Sequence, residues 1–204
     1  MAIHLMVVGD DRPEGVYAGP DLGRIWQAAK AEPEQRFFVE RCASPDEVVP
    51  TARRLAREGM IDVLDLVDHG DPGICRMGTG HLFNASGAGR HIARGLRPLL
   101  TPNARVRLLE CRCAIGEEEQ RLLLMLQREL GEGIAVQGAL CLIDLGQFGP
   151  HGFKKLHEER FLFSATEAAS RVAPSPEERA DEVVEWYRSC TEGDVTPGHN
   201  ESRS

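Results

Sequence analysis

Apolar residues in this chain fall into short runs, each closed by a polar or glycine break, and the runs alternate with stretches of helical periodicity. "AIHLMVVG" (2–9) is the first run, closed by Asp10-Asp11 and a loop containing Pro and Gly, and reads as a strand. A helix is expected around "DLGRIWQAAKA" (21–31), then a β-favouring segment, "RFFVERCA" (36–43). "SPDEVVPTARRLAREG" (44–59) carries helix signals: Ser44 as N-cap, Pro45 at the first helical position and acids in the first turn. Val48, Ala52 and Leu55 recur at helical spacing and Gly59 ends the run; Pro50 must either shift the helix start or kink it.

"IDVLDLVDHG" (61–70) is the third strand, apolar through Val67 and then ending on Asp68-His69-Gly70. The triplets "DPG" and "GTG" bracket "ICRM", a pattern for a small hairpin or bulged excursion. A helix over 88–99, a turn at Thr101-Pro102-Asn103 and a fourth strand over 104–116 follow. The clearest helix is "EEEQRLLLMLQREL" (117–130), with acids in its first turn, Leu122, Met125, Leu126 and Leu130 as a buried stripe, and Gly131 as its stop. The rest reads as a strand over 133–144, a loop over 145–153, a last edge strand over 159–166, a capped helix over 175–190 and a disordered polar tail over 191–204. Strands alternating with helices predict one α/β domain over 1–190, a largely parallel sheet with helices on both faces. Sites in such sheets lie beyond the carboxyl ends of the strands.

Charge and composition narrow the function. A formal net charge of −8 argues against nucleic acid, since phosphate neutralisation needs a basic face. Arg53, Arg54 and Arg57 read as one solvated helix face. No apolar run approaches the ~20 residues of a membrane span, and the first strand lacks the basic leader of a signal peptide, so a cytoplasmic protein with reduced cysteines is expected. The six cysteines include no CxxC pair and no His-xxx-His partner, so no metal site is expected. No phosphate-binding glycine motif follows any strand, which weakens a nucleotide-binding reading.

Within this frame, His69 closes the third strand and Cys111 lies near the end of the fourth. A thiol becomes a nucleophile when a base or positive site lowers its pKa. Gly70 lets a substrate carbonyl approach the backbone, where its N–H and that of Cys111 can stabilise an oxyanion. Asp68 is placed either to orient the imidazole or to lie solvated at the rim. Cys113, two residues on and on the same face by strand alternation, is the rival nucleophile or a resolving thiol. His81 and His91 are alternative bases, His91 being better suited to a structural role beside Ile92.

The words around both residues, "IDVLDLVDHGDPGICRMGTG" and "ARVRLLECRCAIG", resemble the caspase-like (clan CD) cysteine peptidase superfamily, its bacterial members in particular. The likeness runs from about Arg36 to Gly138, roughly half the chain, with His69-Gly70 and Cys111 as its specific elements. Asp68 departs from it, standing where related sequences usually have a small residue. The resemblance implies a caspase-like three-layer sandwich, His69 as general base, Cys111 as attacking thiolate, and the N–H groups of Gly70 and Cys111 as the oxyanion hole. It also implies a protein or peptide substrate, no metal or organic cofactor, and activation by a partner, a ligand or self-cleavage as a common requirement. The pocket for the preferred side chain would lie near "GALCLIDLGQFG" (138–149), where Asp144 reads more readily as a cap or turn residue than as a specificity residue. The alternative function is a catalytically inactive caspase-like module that binds a partner protein, since the acidic "GEEEQ" turn opposes activation of Cys111.

Overall fold

The apolar runs pair with one another in a single six-stranded sheet. β1 (Ala2–Gly9), β2 (Phe37–Cys42) and β3 (Met60–Val67) come from the first three. Three short strands follow, β4 (Gly70–Asp71), β5 (Ile74–Met77) and β6 (Gly80–Asn84), and then β7 (Leu100–Leu109), β8 (Ala135–Ala139), β9 (Phe148–Gly149), β10 (Gly152–Phe153) and β11 (Leu162–Ser164). The computed structural model describes residues 2–10, 24–27, 36–71, 73–110, 114–140, 143, 147–149, 152–155, 161–168 and 179–181. The main sheet has the order β11-β8-β7-β3-β1-β2. Its first five strands in the chain run parallel, and β11 pairs antiparallel with β8 at the edge. This is the expected α/β architecture with a largely parallel sheet.

Helices cover both faces because the central strands are apolar on both. α1 (Val48–Leu55), α2 (Arg90–Leu96) and α3 (Glu117–Leu130) pack side by side, and α4 (Ala165–Ala168) packs on α3. A helical turn at 24–27 buries Ile25, and Arg41 of β2 lies over the ring of Trp26, 5.6 Å from its centroid. α3 buries Leu122, Met125, Leu126 and Leu130 as its periodicity predicts, and Leu123 and Glu119 as well.

Several elements differ in detail from the pattern. A 3-10 turn (Pro45–Glu47) precedes α1, so Pro50 falls in the first α-helical turn, where a missing N–H costs nothing. The Ser44 side chain does not cap this helix; the Glu47 carboxylate instead accepts the Ala43 N–H at 2.9 Å. The turn expected at Thr101-Pro102-Asn103 is absorbed into β7 as an irregularity. Pairing jumps from Ile61↔Leu100 to Val63↔Arg105, and the Thr101 hydroxyl donates to Asp62 at 2.9 Å across the gap. The loop expected over 145–153 contains the antiparallel pair β9–β10, with Phe148 and Phe153 packed edge to face, 5.6 Å between centroids. The bracketed "ICRM" segment is the middle strand of a separate antiparallel sheet, β4-β5-β6, with a bulge between Cys75 and Arg76. The tail over 191–204 lies outside the described residues, as does most of the helix expected over 175–190.

Candidate active site

The site is built where β1, β3 and β7 end side by side. The last rungs are Val8↔Val67 between β1 and β3, and Val67↔Leu109 between β3 and β7. One residue beyond them stand two acids, Asp68 after β3 and Glu110 after β7, and a third, Asp10, stands two beyond Val8 after β1. All three are buried. A buried carboxyl must find donors or give up its charge, and each does so differently.

Asp10 pairs with Arg41 of β2 at 2.7 Å, and its N–H donates to the Cys42 carbonyl at 2.8 Å. Asp68 accepts two backbone N–H groups, from Gly78 at 2.5 Å on Oδ2 and from its own neighbour His69 at 2.6 Å on Oδ1. Gly78 is the turn between β5 and β6; it has φ +56°, and a Cβ there would overlap the Ala43 carbonyl. Glycine therefore lets this turn lie on the loop before α1, where Thr79 donates its N–H to Ala43 at 3.0 Å. Glu110 accepts the Cys75 thiol on Oε1 and the Arg76 N–H on Oε2 at 3.2 Å. Burial pushes the Glu110 carboxyl well above its ordinary range, and the negative charge of Asp68 acts in the same direction; the Cys75 and Arg76 hydrogen bonds oppose both.

Of the residues singled out by sequence, His69 is half-buried just past the tip of β3, and Gly70 opens β4 opposite Cys75. Asp68 is no solvated rim residue: its carboxylate is turned inward to the β5–β6 turn. Cys111 and Cys113 lie outside the described residues, as does Asp144. The chain on either side of 111–113 is well anchored, by Glu110 on one side and on the other by Ala114, whose N–H donates to the Ala139 carbonyl at 3.0 Å. His81, on β6, and His91, on α2, are both exposed. Arg53 and Arg54 are exposed on α1 and Arg57 in the turn that follows it, and Arg54 pairs with Glu40 at 3.1 Å. Among the described residues no group of three or more His, Cys, Asp or Glu side chains could hold a metal ion, and no helix is long and apolar enough to cross a membrane. No disulfide involves Cys42 or Cys75, and burial pushes the Cys42 thiol up to about 11.

A second buried polar set lies in the middle of the sheet and was not read from the sequence. Asp65 of β3 receives Arg107 of β7 through two bonds, Nε at 2.5 Å and Nη2 at 2.7 Å, and contacts His4 Nε2 of β1 at 2.7 Å. Arg107 is only 1% exposed, and Phe153 of β10 lies 5.9 Å from its guanidinium. Burial alone would raise the Asp65 pKa; the Arg107 and His4 contacts outweigh it and hold the carboxyl far below its usual range. With its carboxylate committed to these two partners, this set reads as structural.

No protein-family model matches the chain, and no curated protein matches it.

Proposed function

We propose that this chain is a cysteine endopeptidase of caspase-like type, built as one catalytic domain over 1–190. His69 takes the proton of the Cys111 thiol, and the thiolate attacks the scissile carbonyl of a protein or peptide substrate. The N–H groups of Gly70 and Cys111 hold the oxyanion, the amine departs with a proton from the imidazolium, and water hydrolyses the acyl-enzyme. The chemistry needs no metal or organic cofactor, and reduced thiols suit the cytoplasm.

One observation carries this reading. β3 and β7 are parallel neighbours whose last rung is Val67↔Leu109, and counting on two residues from it gives His69 on one strand and Cys111 on the other. Neighbouring strands lie about 4.8 Å apart, a spacing from which an imidazole and a thiol can meet.

The buried acids at the same rim favour a second reading, a partner-binding module that does not cleave. Negative charge beside a thiol raises its pKa and withholds the thiolate, and Asp68, buried at the end of β3, brings such a charge to the rim, where it acts on Glu110.

Cleavage of a peptide library by wild type, Cys111→Ala and His69→Ala separates the two. The peptidase reading expects no turnover from Cys111→Ala and a loss of about 10²–10⁴-fold from His69→Ala. Equal cleavage by wild type and Cys111→Ala, or labelling of Cys113 alone by a thiol-directed probe, overturns it.

A further inference from the structure

The two candidate reacting residues share a local arrangement. Each directly follows a buried acid, Asp68 before His69 and Glu110 before Cys111. The two acids end adjacent strands, and both bind the β4–β6 sheet within four residues of one another, Asp68 at Gly78 and Glu110 at Cys75 and Arg76. A carboxyl held by donors of this small sheet fixes the backbone of its own residue, and with it the peptide that leads to its successor.

From this we infer that Glu110 is a positioning residue for Cys111, the counterpart of Asp68 for His69, the β4–β6 sheet serving as the common anchor that sets the distance between the two. This rests on the dyad reading above. Two features support it. Glu110 is fully buried at a strand end, where an apolar side chain would fill the space at lower cost unless its bonds matter. Its two oxygens also take different donors from successive residues of β5, one from a side chain and one from the backbone, so both the position and the rotation of the carboxyl are set. Burial favours the neutral carboxyl, so reach and hydrogen bonding, more than charge, do the positioning. Glutamine then preserves the role, and aspartate, one methylene shorter, does not.

The test is the rate of alkylation of Cys111 by iodoacetamide across pH, resolved from the other thiols by peptide mapping. It is measured in wild type, Glu110→Gln and Glu110→Asp, each with and without His69→Ala. Amide exchange at Arg76 is followed in the same proteins as a readout of the anchor. In wild type and Glu110→Gln, His69→Ala is expected to slow Cys111 at neutral pH by about tenfold or more and to move its pH profile upward. In Glu110→Asp the His69 effect is expected to fall below about threefold, with Arg76 exchange accelerated. A full His69 effect in Glu110→Asp overturns the positioning role and leaves the dyad standing. An equal loss in Glu110→Gln and Glu110→Asp overturns it as well, because a hydrogen-bonding spacer of the right length would then not suffice. Absence of any His69 effect in wild type overturns the dyad, and the positioning role with it.

Discussion

Gly9 at the end of β1 and Asp68 at the end of β3 occupy one space: a Cβ on Gly9 would overlap the Asp68 carboxylate. The requirement is steric and does not depend on a special backbone conformation. Gly9→Ala is therefore expected to displace Asp68 from Gly78 and to destabilise the fold by ~1–3 kcal/mol, the usual cost of overfilling a packed site. Urea unfolding measures the cost. A midpoint unchanged from wild type would mean that the carboxylate can move without loss.

Gly78→Ala attacks the same anchor from the other end. With φ +56° and the Ala43 carbonyl in the way, the new methyl strains the backbone and pushes the β5–β6 turn off the loop before α1. The expected result is a loss of ~1–3 kcal/mol together with faster amide exchange at Thr79, whose N–H donates to Ala43. Exchange at Thr79 matching wild type would show that the turn holds by other contacts.

Asp65→Ala leaves Arg107 buried without its carboxylate and is expected to cost ~3–5 kcal/mol. The double replacement Asp65→Leu with Arg107→Met should recover most of that loss, because well-packed apolar residues often match or exceed a buried pair. A double variant no more stable than Asp65→Ala would indicate that the set supplies something packing cannot.

The two displaced carboxyls give opposite pH dependences. Asp65 has its folded pKa lowered, so the unfolded chain binds the extra proton. Its contribution is fully present above the unfolded value of 3.8 and is lost as pH falls through the folded value. Glu110 has its folded pKa raised, so the folded chain binds the extra proton. Its contribution is present below 4.5 and is lost as pH rises through the folded value. Stability measured from acid to neutral pH should therefore lose its steepest acid limb in Asp65→Asn and gain relative to wild type toward neutral pH in Glu110→Gln. The reverse assignment of the two limbs would refute both directions.

How far the sequence discloses this molecule follows from the kind of signal each part carries. Strand runs and the α3 stripe are local patterns, and they predict the parallel sheet and its carboxyl edge directly. Thr101-Pro102-Asn103 has turn chemistry, yet flanking pairing carries it into β7 as a bulge, since tertiary pairing overrides a local preference. The polar partners are non-local and were missed: nothing beside Glu110 in the chain points to Cys75, and nothing beside Asp68 points to Gly78. A signal for the central ion pair was nonetheless there. Asp65 stands four residues before His69 and Arg107 four before Cys111, opposite charges at equal counts inside two apolar runs. On parallel neighbours those positions pair, and the rung Asp65↔Arg107 does so.

The buried set formed by His4, Asp65 and Arg107 also bears on when this chain can fold. Its members come from the first, third and seventh strands, and the guanidinium enters only after residue 106 has been made. Until then a nascent chain holds a carboxylate in the strand meant for the centre of the sheet with only the His4 imidazole to meet it, and burying that strand leaves the charge short of its main partner. The three central strands therefore reach their full charge complement only once β7 has been made, past the midpoint of the chain.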